Sequence, residues 1–383
     1  MKLSASLLLL LADVLQAQTP AVFATGLLNP SKLTLTAGGN LLVTEAATAP
    51  NSGRISLVDK SGVRKTLIDG LPSGLAAPNF APDGTNGVLV QRNVVFILNG
   101  EGDGFRAGAK PNTTVPNPAG PSSPNFSSIM KLTLTGSVDS AAGGFVMTPA
   151  HQSALADGNS VTLTDSTGTT ATLEMVTDFR DGVADPVTGW RNSRPFGLAA
   201  LDARPDKLYV ADAGLNLVYE VTVSTGRTRV LTRFAPIPNQ PGAAGPPVSD
   251  AVPSSIRPYG DQLLVTLLHG FPFPQGGSQV YLVDPTTGAG APFIVNLTSA
   301  IDVAAIDVST LAQAANRPVF FTLEYSTNQL AGLPGRVTRY DTAQGKIIAD
   351  GLSGPTNLAY DASSETLYVL SHDAGNILKV TGQ

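Results

Sequence analysis

The chain has 383 residues, a formal net charge of −5, only 14% charged residues and no cysteine. Without a basic excess it offers no face for a phosphate backbone, which argues against nucleic acid as a partner, and without thiols it has neither disulfides nor a lipid-modified cysteine. Its 39 glycines and 29 prolines fall short of the share expected of a disordered low-complexity chain and read as tight turns between short strands.

In chain order, Lys2, the apolar run Leu7 to Ala12 and Ala17 before the polar Gln18 read as a secretory signal over residues 1–17, with Asp13 as its one discordant residue. The expectation is a secreted or periplasmic chain with a single domain over 18–383. No later apolar run approaches the roughly 18–20 residues that cross a bilayer. Ala21 to Thr25 reads as a short, isolated strand. From Leu41 onward a pattern recurs: an apolar strand, a turn with Gly or Asp, and a second strand that ends in Val-Asp or Tyr-Asp. The apolar strands include Leu41-Leu42-Val43-Thr44-Glu45, Leu208-Tyr209-Val210-Ala211-Asp212, Leu263-Leu264-Val265-Thr266 and Leu367-Tyr368-Val369-Leu370. β-Branched and aromatic residues dominate them, as a pleated surface favours. Successive copies at Leu208, Leu263, Phe320 and Leu367 lie 55, 57 and 47 residues apart, a spacing suited to four-stranded units with uneven loops.

Counting such strands at Leu41, Val95, Leu208, Leu263, Phe320 and Leu367 gives six units. The fold expected is all-β, a six-bladed β-propeller. After Val380 the chain stops one strand short, and Ala21 to Thr25 is the strand that completes the last blade and closes the ring. Two insertions are expected in the second blade. One, over about 99–127, opens with Gly100-Glu101-Gly102-Asp103-Gly104, and the interrupted strand resumes at Ser128. The other, over about 150–178, contains a Thr-rich hairpin, Val161 to Thr164 with Thr169 to Leu173.

Leu268-His269-Gly270-Phe271-Pro272-Phe273-Pro274-Gln275-Gly276-Gly277 ahead of Val280-Tyr281-Leu282-Val283-Asp284, and Tyr209-Val210-Ala211-Asp212-Ala213-Gly214-Leu215-Asn216, resemble signature segments of the ScyD/ScyE family. The openings Gly26-Leu27-Leu28-Asn29-Pro30 and Gly351-Leu352-Ser353-Gly354-Pro355-Thr356 fit the same pattern, so the resemblance runs from about Phe23 to Val380. It implies a secreted or periplasmic propeller and carries over no catalytic residue.

The candidate site follows from the repeat. Two places after each Leu-Tyr-Val-like triplet the strand ends, at Glu45, Asn99, Asp212, Leu267, Glu324 and Ser371. As a ring, Glu45, Asn99, Asp212 and Glu324 offer hard oxygen ligands for Ca2+ or Mg2+ and look like the channel metal site of gluconolactonase-like propellers. The competing reading has the same carboxylates accepting hydrogen bonds from loop backbone. His269 and His372 fall at the same end of their blades and are candidate general bases, as in a streptogramin-lyase-like propeller. Phe271, Phe273, Trp190 and Phe196 lie in Pro-stiffened loops and are candidate ligand contacts. Asp178, Asp181 and Asp185 around Gly182, and Glu101 with Asp103, are either calcium ligands or turn formers. In a eukaryotic host Asn112, Asn125 and Asn296 would be surface glycosylation acceptors. Two functions follow: a non-catalytic binding or scaffold protein for a small molecule, glycan or protein, or a metal-dependent lactonase-like hydrolase.

Overall fold

The computed structural model describes residues 18–383 except 77–80, 110–113, 180–192, 240–244, 307–317 and 342–343. Residues 1–17, read above as a secretory signal, lie outside the described residues. Six antiparallel sheets stand around one axis, and the protein is a six-bladed β-propeller. Their innermost strands are Pro30–Leu35, Thr85–Gln91, Pro195–Ala200, Pro253–Tyr259, Ala300–Ile306 and Pro355–Asp361. Each inner strand packs on the next, and the sixth on the first. Ala21–Ala24 pairs antiparallel with the chain's last strand, Asn376–Thr381, placing Ala21 opposite Lys379 and Ala24 opposite Ile377. The N-terminal strand therefore is the outer strand of the sixth blade, and Phe23 packs on Tyr368 with ring centroids 5.0 Å apart.

The hydrophobic core is divided into six clusters, one in each gap between neighbouring blades. This division explains why the second strands are almost continuously apolar. In Lys207–Asp212 the period of two sends Leu208 and Val210 toward the second blade, and Tyr209 and Ala211 toward the fourth. Both faces of every blade are buried, so alternation with polar residues would leave a gap unfilled.

The 99–127 insertion carries a small hairpin, Phe105–Ala107 with Thr114–Pro116, and the blade resumes at Ser128–Leu134. The Thr-rich hairpin is not an insertion on the blade. Thr170–Asp178 is the fourth strand of the second blade, pairing along all of Ser128–Leu134, and Val161–Thr164 adds a fifth. The intervening segment crosses to the first blade. Phe145–Val146 pairs in parallel with Ile68 and Asp69 on that blade's outer strand, and helix Pro149–Ala156 follows. Gly70 has φ +75°, and a Cβ there would meet the Met147 carbonyl oxygen at 2.0 Å, so the close crossing requires glycine. The helix accounts for His151, whose Nδ1 accepts from the Thr148 backbone N–H at 3.2 Å while its own N–H donates to the Thr148 hydroxyl.

Candidate functional site

Every inner strand breaks register just after its first residue. Pro30 pairs with Glu45, Thr85 with Asn99, Pro195 with Asp212, Pro253 with Leu267, Ala300 with Glu324 and Pro355 with Ser371, and each pair is followed by a β-bulge. The six strand-end positions read from the sequence are therefore structurally equivalent. They belong, however, to the second strands, one layer out from the axis, and their side chains serve the loops that lead into the blades.

Glu45 accepts from the Leu28 backbone N–H at 2.6 Å and from Arg54 at 2.7 Å. Glu324 accepts from the Thr298 N–H at 2.6 Å and from Arg336. Asp212 accepts from the backbone N–H groups of Arg194, Gly214 and Leu215 at 2.9 to 3.0 Å and from the Ser193 hydroxyl, while Ser371 donates to the Ser353 carbonyl. Leu28, Ser193, Thr298 and Ser353 each stand two residues before an inner strand, so in four of the six blades one position holds one loop. Asn99 turns outward, donating to the Ser128 hydroxyl at 3.1 Å. The expected ligand set Glu45, Asn99, Asp212 and Glu324 thus does not converge: each side chain is committed inside its own blade, two of them to arginines. Among the described residues no group of three or more His, Cys, Asp or Glu is placed to hold a metal ion. Burial raises the Asp212 carboxyl above its ordinary range despite hydrogen bonds from Ser193 and the loop.

The site itself is set by the next residue along. A cavity of about 340 Å³ opens on the axis. It is lined by the bulged residue of all six blades, Ser31, Asn86, Phe196, Ser254, Ile301 and Thr356, and by Ala213, Leu268, Tyr325 and His372, each one place beyond a strand end. A bulge puts an extra residue against one partner; six bulges in register bring one residue of every blade to the cavity. Most of the wall is apolar, with Phe196, Val252, Leu268 and Ile301 and, beside Asp83, Ala76, Ala81 and Pro82. The rest carries Asp83, Asn86, Arg194 and His372.

The charges of this wall are matched within the protein. Arg194 pairs with Glu101 at 2.8 Å, and Asp83 accepts from the Asn86 amide and from the Gly102 N–H at 2.8 Å. His372 has its Nδ1 at 3.1 Å from the Pro30 carbonyl oxygen; that atom can only accept, so Nδ1 carries the proton and Nε2 is left for the cavity side. The Thr356 hydroxyl is buried with no hydrogen-bond partner among the described residues.

Below the bulges the axis is plugged by charged side chains from the same strands. Lys32 reaches across to the opposite blade and donates to the Ser254 carbonyl at 3.0 Å, with its ammonium 4.4 Å from the centroid of the Phe196 ring. Burial lowers its pKa to about 8 against the attraction of Asp302. Asp302 takes six donors, from Ser255, Arg257 twice, the Asn357 amide and the backbone of Val303 and Leu358. Burial alone would push the Asp302 carboxyl up, but Arg257 and Lys32 outweigh it and hold it below the usual carboxylate range.

The remaining candidates scatter. His269 is buried outside the cavity, its Nε2 3.1 Å from Asn239 Oδ1 and its Nδ1 against Gly277; it braces the loop, and its neighbour Leu268 lines the cavity. Phe271 and Phe273 meet edge to face at 6.1 Å on the outer rim, with Phe271 half exposed. They do not line the cavity, to which this loop contributes Leu268 and none of residues 269–277. Phe196 and His372 do line it. Trp190, Asp181 and Asp185 lie outside the described residues, as does Asn112. Glu101 serves Arg194, and Asp103 accepts from the Ser122 N–H at 2.8 Å. Asn125 is fully buried and donates to the Gln152 carbonyl, so it is no surface acceptor, whereas Asn296 is exposed.

No family model matches the sequence, and no curated protein matches it. Among solved structures the chain is similar to selenomethionine-substituted virginiamycin B lyase from Staphylococcus aureus, at 14% identity over 92% of this chain and 95% of the other with a TM-score of 0.44. It is also similar to a chain of a nidogen/laminin complex, at 11% identity over 89% of each with a TM-score of 0.47. A Bacteroides thetaiotaomicron protein of unknown function is 9% identical over 96% of this chain and 71% of the other, with a TM-score of 0.46. Likenesses at this level say nothing of activity; the fold stands on the strand topology.

Proposed function

We propose that this chain is an extracytoplasmic binding protein of the ScyD/ScyE type that takes a small molecule into the axial cavity without transforming it. The observation that carries the reading is the meeting of one bulged residue from every blade at one mainly apolar cavity of about 340 Å³ with a few polar groups, the mixture typical of a small-molecule site. The metal-dependent hydrolase needs free carboxylates on the axis, and Glu45, Asp212 and Glu324 are instead spent on arginines and loop N–H groups. The one carboxylate in the lining, Asp83, faces Asn86 and Gly102. The composition of residues 1–17 supports export, and the segments 209–216 and 268–284 support the family.

The test compares the mature chain with a cavity-filling variant, Ala213→Trp, in thermal shifts against a panel of small organic acids, amides, sugars and lactones. Compounds that raise the melting temperature of the native chain, leave the variant unmoved and are recovered unchanged support the reading. Turnover of a lactone, lost in the variant and restored by Ca2+ or Mg2+ after chelation, would overturn it in favour of the hydrolase.

A further inference from the structure

The axial cavity is lined by one hydrogen-bond acceptor and one donor that the protein leaves unused, in corresponding places on neighbouring blades. His372 follows the second strand of the sixth blade, and Tyr325 follows that of the fifth. Their backbone N–H groups donate to the carbonyls of Gly354 at 2.9 Å and Ser299 at 2.8 Å, in each case the residue just before the inner strand, and the two inner strands pack on each other. Both side chains are partly buried and line the cavity. Among the described residues the His372 Nε2 and the Tyr325 hydroxyl have no hydrogen-bond partner, and neither is sealed from solvent as the Thr356 hydroxyl is. Their polarities are fixed. Nδ1 of His372 donates to the Pro30 carbonyl oxygen at 3.1 Å, so the neutral ring presents Nε2 as an acceptor. Burial, and then the charge of Asp373, raises the Tyr325 pKa above its ordinary value, so at neutral pH the hydroxyl keeps its proton and donates. Asp373 is the residue after His372, so its effect on Tyr325 puts the two groups on one stretch of the wall. The charges elsewhere on the wall are matched within the protein, Arg194 by Glu101 and Asp83 by Asn86 and Gly102.

We infer that the ligand carries a neutral amide whose N–H and C=O point the same way, as in a lactam, with the N–H donating to His372 Nε2 and the carbonyl oxygen accepting from the Tyr325 hydroxyl. An acceptor and a donor side by side on the wall call for a donor and an acceptor side by side on the ligand. A lactone has the carbonyl without the N–H, a carboxylate has no donor, and the trans amide of a peptide points the two groups in opposite directions. The apolar remainder of the ligand lies against Leu268 and Ile301. This inference rests on the cavity being a binding site, as proposed above, and no covalent bond is made or broken.

The experiment follows the imidazole nitrogens and the methyl groups of the mature chain by NMR, in mildly alkaline buffer that keeps imidazoles neutral. The probes are pyrrolidinone as the minimal lactam, N-methylpyrrolidinone as its counterpart without the donor, and γ-butyrolactone as the ester. Pyrrolidinone is expected to shift the His372 Nε2 signal saturably and to bind about fivefold to tenfold more tightly than either control, the net worth of one hydrogen bond. His372→Phe should erase that preference. Tyr325→Phe, which keeps the ring and removes only the hydroxyl, should weaken all three probes by a similar factor, since each presents a carbonyl oxygen, and leave the preference in place. Equal affinity for the three probes, a preference that survives His372→Phe, or a Tyr325→Phe variant that binds all three unchanged overturns the inference. If the probes shift the Leu268 and Ile301 methyls with no preference for the lactam, the binding protein stands and the amide falls. If nothing shifts those methyls, both fall.

Discussion

Lys32→Met should make the protein more stable near neutral pH and remove part of its response to alkali. The folded state lowers the Lys32 pKa from 10.5 to about 8, which at about 1.4 kcal/mol per pH unit means that keeping the ammonium buried costs about 3 kcal/mol. The sign follows from proton counting. Between the folded and unfolded pKa values the unfolded chain binds the extra proton, so stability rises with pH across that window, and the cost is present in full below it. From pH 7 to about pH 9.5 this one group should stabilise the native chain by about 2 kcal/mol. Methionine keeps the stem and removes the charge, but deprives the Ser254 carbonyl of its donor, an offset of about 1–3 kcal/mol. The variant is therefore expected to gain up to about 2 kcal/mol at pH 7. Urea unfolding of both proteins across this pH range measures it. Parallel stability–pH curves for the two, or a variant destabilised by several kcal/mol at pH 7, would refute the account of Lys32 as an uncompensated charge.

Other substitutions separate loop-holding carboxylates from metal ligands. Glu45→Ala and Glu324→Ala each strand a partly buried arginine and should lose about 3–5 kcal/mol, with no dependence on added Ca2+ or on chelator, measured by thermal unfolding. Asp212→Asn keeps an acceptor for the three loop N–H groups and an amide for Ser193, so it should cost under about 1 kcal/mol; a large loss accompanied by loss of a bound cation would revive the metal reading. Asp302→Asn leaves Arg257 without its charge partner and should cost about 3–5 kcal/mol at neutral pH. Because the Asp302 pKa is depressed, the wild-type contribution is present above the ordinary carboxylate pKa and lost as pH falls through the folded value, so the two stability curves should approach each other in acid.

The blades were legible because their strands are buried on both faces. A run such as Leu41-Leu42-Val43 has no polar face to confuse it with a helix, and Thr25-Gly26-Leu27 ends like the fourth strands at Asp69-Gly70-Leu71 and Asp350-Gly351-Leu352, which marked Ala21 to Thr25 as the strand missing after Val380. The strand ends were legible too, since Glu45, Asp212 and Glu324 recur at one phase of the repeat. What failed was a single step. The bulge shifts the side chains that face the axis from the strand end to the residue after it and to the second residue of the inner strand, and a bulge has no marker in the sequence beyond the Pro that opens four of the six strands. Lys32 and Asp302 did leave a signal, as lone charges inside apolar strands. The Thr-rich hairpin was misplaced because its sequence states two strands and a turn, and nothing about which sheet accepts them.

The segment that crosses from the second blade to the first alters how the ring can move. Beyond the paired strand, Asp139 accepts from Gly38 and Asn40 at 2.9 Å in the turn at the other end of the first blade, and Gln152 donates to the Gly70 carbonyl at 3.1 Å. Two sheets stitched at both ends and along an edge turn as one, so a ring of six has five hinges. Any opening of the axial mouth is then shared among the five remaining joints; Val252, Leu268 and Ile301 stand on blades outside the stitched pair, while Asp83 and Asn86 stand on it.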